Sequence, residues 1–137
     1  MEIKYLYDID KFHLYKVDEI FSTNTYLKDN YDKFENLSIL WAIKQTNGRG
    51  RLNRVWESND DLTFSIVFKE ENYNQIMIPL MIIEALKKYD ISASIKWPND
   101  IYYNDKKLCG ILIENIYDNN VFKASIVVIG INFNDYS

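Results

Sequence analysis

A chain of 137 residues is long enough for one domain with a hydrophobic core. Its net charge of −4 leaves no extended basic face, which argues against sequence-independent nucleic-acid binding. A lone cysteine, Cys109, cannot close an intrachain disulfide and fits a reducing cytoplasm. No charged-then-apolar leader opens the chain, and the most apolar stretch, Ile76 to Ile83, is far too short to cross a bilayer.

In chain order, Phe12 to Val17 reads as a strand, followed by a turn and a short helix with Ser22 as N-cap and Tyr26 and Leu27 on its apolar side. Ser38 to Lys44 and Leu62 to Phe68 read as buried strands. One long helix is predicted from about Gln75 to Tyr89. Pro79 belongs in a first turn, which moves the start toward Ile78. Because this helix is apolar all round from Ile76 to Ile83, it is expected to pack centrally against a sheet. Ser94 to Trp97, Ile101 to Tyr103, Leu108 to Tyr117 and Val121 to Ile131 then read as strands. Short polar turns, among them Asn104-Asp105 and Asp118-Asn-Asn120, join them into consecutive antiparallel hairpins. The expected fold class is α+β, a mainly antiparallel mixed sheet with packed helices.

All three arginines fall within six residues, at Arg49, Arg51 and Arg54, while every other basic residue is lysine. A guanidinium grips phosphate or carboxylate with two parallel hydrogen bonds, which an ammonium cannot do. Gly48 and Gly50 alternate with the first two arginines and allow close backbone approach. No acidic residue lies between Gln45 and Trp56. The segment reads as a loop that closes over an anionic small molecule.

Three further segments end strands in polar residues. Phe21-Ser-Thr-Asn24 offers neutral donors and acceptors suited to an amide or urea, although a plain helix cap is the simpler reading of it alone. Lys96-Trp-Pro-Asn-Asp100 could hold a phosphate and a metal ion, or be a turn with surface charges. In Lys106-Lys-Leu-Cys-Gly-Ile-Leu-Ile-Glu114, Lys107 enters an apolar strand and Gly110 suggests the close approach of a ligand or another backbone.

Taken in order with Val-Val-Ile-Gly-Ile-Asn132, these motifs resemble the catalytic domain of biotin–protein ligases, from about Val17 to Asn132. The pairing of Lys-Trp-Pro-Asn-Asp with a downstream Lys-x-x-Gly-Ile-Leu is the most specific part. The resemblance implies a fold like that of class II aminoacyl-tRNA synthetases and a two-step reaction. Biotin and Mg·ATP give biotinyl-5′-adenylate, and the biotinyl group then passes to a lysine of a biotin carboxyl carrier protein or domain. A carboxylate is ionised at neutral pH, so the first step needs positive charge and orientation, not a general base. The lone histidine, His13, is read as a half-exposed structural residue.

Carried over residue by residue, the resemblance implies Ser22, Thr23, Asn24 and Gln45 around biotin's ureido ring. Gly48, Arg49, Gly50 and Arg51 would form the biotin loop, and Gly110 and Leu112 would line the ring pocket. Lys107, facing the biotin carboxylate, and Arg51 are the catalytic candidates. Arg51, Arg54, Trp56, Lys96, Asp100 and Asn132 are the ATP-side candidates, and no metal-ligand set is assigned. Homodimers paired through sheet edges also belong to the family pattern.

Two departures stand out. Where the family has Gly-x-Gly-Ile-Asn, Val128 replaces the first glycine, and could crowd the ring or shift the strand. The chain also stops at Ser137, before the further helices and small C-terminal β-barrel that family members carry. Nor does it leave room for an N-terminal DNA-binding helix-turn-helix. Residues 1–137 are therefore expected to be a C-terminally shortened catalytic domain, with transcriptional regulation not expected. Two alternatives stay open: a biotin-binding remnant without ligase activity, and a lipoate or octanoyl transferase using Cys109 as nucleophile.

Overall fold

The computed structural model describes residues 1–46, 62–70, 77–97 and 99–132, together with the backbone of 48–49 and 55–56. Its main sheet is built from β1 (Ile3–Ile9), β2 (Phe12–Ile20), β3 (Ser38–Gln45), β6 (Leu62–Phe68), β7 (Ser94–Lys96), β8 (Asp100–Tyr103), β9 (Lys106–Asp118) and β10 (Val121–Ile131). A separate short ribbon pairs β4 (Gly48–Arg49) with β5 (Val55–Trp56). The helices are α1 (Thr23–Asn30) and α2 (Met77–Lys87).

The eight strands run in the order β1-β2-β3-β6-β10-β9-β8-β7. All neighbours are antiparallel except β2 and β3, which are parallel and joined through α1. The expected α+β class and the run of hairpins from β7 to β10 are both present. Two of those hairpins turn on Asn104-Asp105 and Asn119-Asn120, all four residues having positive φ. That is the backbone a two-residue hairpin loop requires, and Asn and Asp tolerate it better than other residues with a Cβ.

Side-chain alternation divides the sheet between two cores. On one face Val17, Leu40, Ala42, Val67 and Ile126 pack with Leu27 of α1 and with Phe34. On the other Ile66, Ile101, Cys109, Ile111, Val127 and Ile129 pack with Ile78 of α2. β10 is buried from Ala124 through Gly130 because both its faces are covered. Each fully buried Leu or Ile here, such as Leu27, Leu40 and Ile126, contributes about 1.5–3 kcal/mol.

The structure departs from the sequence expectations at its first strand and in how the long helix packs. β1 was not foreseen; it is an edge strand whose side chains are nearly all exposed. The helix is described from Met77, near the Ile78 start that Pro79 suggested, and residues 71–76 lie outside the described set. It does not pack centrally: Ile78 and Pro79 are buried, while Met77, Leu80 and Met81 face outward. Its uniform apolarity therefore exceeds what this sheet face uses.

Candidate active site

The first turn of α1 lies against the central strands. Ser22 caps the helix, its Oγ accepting from the Thr25 amide at 3.2 Å, so the expected cap is present. Thr23 is fully buried. Both its amide N–H (2.7 Å) and its hydroxyl (3.0 Å) donate to Gln45 Oε1 at the end of β3. Thr23 Oγ1 also lies 2.7 Å from Ser65 Oγ on β6. A hydroxyl has one proton, and that of Thr23 goes to Gln45, so Ser65 donates to Thr23. The chain Ser65 to Thr23 to Gln45 fixes the Gln45 amide and leaves Thr23 Oγ1 one lone pair for a ligand N–H.

Asn24 is turned differently. Its Nδ2 donates to Glu114 Oε1 on β9, and Lys28 Nζ donates to Glu114 Oε2 at 2.9 Å. Burial pushes the Glu114 carboxyl up, but the hydrogen bonds from Asn24 and Lys28 and the Lys28 charge outweigh it and hold it below its ordinary value. Asn24 thus ties α1 to β9 with its amide nitrogen, while its Oδ1 is buried and has no hydrogen-bond partner among the described residues.

Register places small residues of four adjacent strands in one row. Ala42 pairs with Thr63, Thr63 with Gly130, and Gly130 with Gly110. Gly110 pairs in turn with Asp100 on β8. Paired residues share a face, and this is the α1 face, since Thr63 has the parity of Ser65 and no bulge intervenes in β6. With strands roughly 4.8 Å apart, the row runs ~19 Å from Ala42 to Asp100. A Cβ at Gly110 or Gly130 would project from its floor.

At the far end Lys107 Nζ meets Asp100 Oδ1 at 3.1 Å, both side chains about one-third exposed. Asn132 closes this corner: its amide donates to Leu108 O at 2.8 Å and its Nδ2 to Lys107 O at 3.4 Å. Three predicted residues from three strand ends therefore converge. Lys96 does not join them; it lies on edge strand β7, exposed, with Nζ 4.8 Å from the centre of the Tyr102 ring. Leu112 pairs with Val128, and Val128 with Ser65, in the row beside the glycines. The register of β10 is continuous through Val128, so the valine does not shift the strand.

Of the arginine segment, Gly48, Arg49 and Trp56 contribute backbone to the short ribbon, a pairing the sequence did not suggest. Gly50, Arg51 and Arg54 lie outside the described residues. Sequence reading also passed over Ser65 and Thr63. The available signal was two hydroxyl residues at a spacing of two inside an otherwise apolar strand, which places both on one face. A surface cavity of about 510 Å³ between Met1, Glu2 and residues 17–21 of β2 and its end shares none of these groups. Its acidic rim of Glu2, Asp18 and Glu19 is unsuited to an anion.

Cys109 is fully buried on the opposite, α2 face, and its thiol is pushed up to about 12 by burial, with only partial relief from the Lys107 charge. It has neither the access nor the thiolate population of a nucleophile. His13 is held by Asp8 at 2.8 Å and Glu35 at 3.1 Å, the structural role expected of it.

Comparison with known proteins identifies the family. The model of the biotin/lipoate A/B protein ligase family matches residues 17–134, and the chain belongs to that family. The bifunctional ligase/repressor BirA of Bacillus spizizenii is 35% identical over 109 residues, covering 73% of this chain and 34% of that protein. The BirA of Escherichia coli is 33% identical over 122 residues, covering 82% and 37%. Among solved structures, the biotin protein ligase from Aquifex aeolicus in complex with biotin and ATP superposes with a TM-score of 0.75 at 37% identity, covering 90% of this chain and 53% of that one. The biotin acetyl coenzyme A carboxylase synthetase from Helicobacter pylori with bound biotinylated ATP gives 0.73 at 25% identity, covering 90% and 63%. The chain thus spans about a third of the length of these curated relatives and about half that of the Aquifex ligase.

Proposed function

We propose that residues 1–137 carry the biotin-adenylating site of an ATP-dependent biotin–protein ligase acting in the cytoplasm. The observation that carries this reading is the small-residue row, with the Thr23–Gln45–Ser65 hydrogen-bond chain beside its β3–β6 end and the Lys107–Asp100–Asn132 corner at the other. A flat, uncharged ring with an anionic tail fits such a row. The neutral end takes the ureido group, the glycines admit the ring, and Lys107 receives the carboxylate.

In the reaction, a carboxylate oxygen of biotin attacks the α-phosphorus of ATP, which enters as its magnesium complex. The P–O bond to pyrophosphate breaks, leaving biotinyl-5′-adenylate. No proton needs to be removed, since the carboxylate is already ionised. The protein has to bring two anions together, and Lys107 with the arginines Arg49, Arg51 and Arg54 supplies the positive charge. Asp100 holds Lys107 in place, and Asn132 fixes the backbone that carries it. A carrier-domain lysine then attacks the acyl carbon and releases AMP.

The ligase function of the relatives and the ligands of the Aquifex and Helicobacter structures support this reading. The test is incubation with biotin, ATP and a biotin carboxyl carrier domain, read with a streptavidin probe. Biotinylation of the carrier is expected. Biotin binding without adenylate or transfer would leave the chain as a biotin-binding remnant.

A further inference from the structure

Thr63 belongs to no motif singled out in the sequence, yet its surroundings are unusual. It is only 2% exposed, and its Oγ1 has no hydrogen-bond partner among the described residues. Burying a hydroxyl unpaired costs about 1–3 kcal/mol, so such a group is normally paired in the working state of a protein. Its lateral neighbours on the face are Ala42 and Gly130, and neither carries a side chain that could supply a partner. Two residues along β6, roughly 7 Å away, Ser65 is committed to Thr23. The orphan hydroxyl therefore stands in the row itself, one strand in from Ala42 and next to the glycines.

Resting on the ligase reading above, we infer that Thr63 is a specificity-determining residue whose hydroxyl donates a hydrogen bond to the thioether sulfur of bound biotin. Biotin has three polar places: the ureido group, the carboxylate, and the ring sulfur between them. The Thr23–Gln45 pair takes the first and Lys107 the second. The hydroxyl stands one strand from the glycine pair and two residues from the Thr23–Ser65 contact, where the bicyclic ring that joins the ureido group to the sulfur would lie. A thioether is a weak acceptor, so the bond is modest, but it is the one polar feature of biotin left for Thr63 to meet.

The experiment compares biotin with dethiobiotin, which keeps the ureido ring and the carboxylate and lacks the sulfur. Binding of both by the full chain is measured by calorimetry, for the unsubstituted protein and for Thr63→Val, which replaces the hydroxyl with a methyl of similar size. Thermal melting of each protein confirms that it is folded, and Thr63→Ser, which keeps the hydroxyl, serves as the rescue. The expected result is a threefold to tenfold (~3–10-fold) weaker affinity of Thr63→Val for biotin, with dethiobiotin affinity unchanged within about twofold and Thr63→Ser close to the unsubstituted protein. An equal effect on both ligands, or on neither, overturns the assignment of Thr63 and leaves the ligase reading intact. No biotin binding by the folded, unsubstituted chain overturns the ligase reading, and the Thr63 assignment with it.

Discussion

Lys107 Nζ lies 3.1 Å from Asp100 Oδ1, so the cation proposed to receive the biotin carboxylate is already paired with a carboxylate of the protein. Lys107 is then a shared group, pre-oriented by Asp100 and drawn upon by the substrate. Lys107→Ala is expected to lower adenylate formation at least about tenfold, as loss of a charge-assisted contact costs roughly 1.5–3 kcal/mol. Asp100→Asn should act in the opposite direction on the first ligand. Removal of the competing anion should tighten biotin binding without nucleotide by about twofold to fivefold, the ~0.5–1 kcal/mol of a partly exposed ion pair. Calorimetry checks this, and weaker binding by Asp100→Asn would mean that Asp100 only positions Lys107.

Gln45 accepts two hydrogen bonds from Thr23, one of them from a buried backbone N–H. Gln45→Leu keeps the approximate volume and removes the single acceptor of both hydrogen bonds. It should destabilise the fold by about 1–3 kcal/mol, visible as a lower denaturant midpoint with an unchanged slope. Biotin affinity should fall as well, because the Thr23 hydroxyl loses its fixed direction.

Cys109 faces away from the row, and its thiol is pushed up to about 12. Cys109→Ala should retain adenylation within about twofold, and the native thiol should resist iodoacetamide at neutral pH while reacting in denaturant. A large loss of activity with a retained melting temperature would revive the acyl-enzyme chemistry of the transferases.

His13 gives a pH prediction. The hydrogen bond to Asp8 raises its pKa above the ordinary 6.5, against desolvation, with Glu35 and Asp8 adding charge. Its contribution to stability is therefore fully present below pH 6.5 and lost as pH rises through the raised value. Asp8 behaves inversely. The bonds from His13 and then Tyr5 lower its pKa below 3.8, so its contribution is present above that pH and lost as pH falls through the lowered value. His13→Ala should flatten the melting-temperature profile as pH rises above 6.5. Biotin binding should be unaffected, because this cluster joins β1, β2 and Glu35 in the segment ahead of β3, away from the row.

Much of this was legible in the sequence because local chemistry and tertiary need coincide. The hairpins from β7 to β10 announce themselves through Asn104-Asp105 and Asn119-Asn120, which satisfy a positive φ. Ser22 caps α1 as its position suggests. The row of small residues was legible only in part: Gly110 stood out, but Ala42, Thr63 and Gly130 become its neighbours through long-range register that no local pattern encodes. Thr63 was invisible for the same reason, since a threonine is an ordinary strand residue until its surroundings prove empty of partners. Outward-facing Met77, Leu80 and Met81 mark the reverse failure, where apolarity implied burial that this face does not provide.

The most direct measurement is mass spectrometry on the purified chain incubated with biotin and Mg·ATP, with Lys107→Ala in parallel. The expected result is biotinyl-5′-adenylate from the unsubstituted protein and at least about tenfold less from the variant. A folded protein that binds biotin and yields no adenylate would contradict the proposal that these 137 residues hold a working adenylation site.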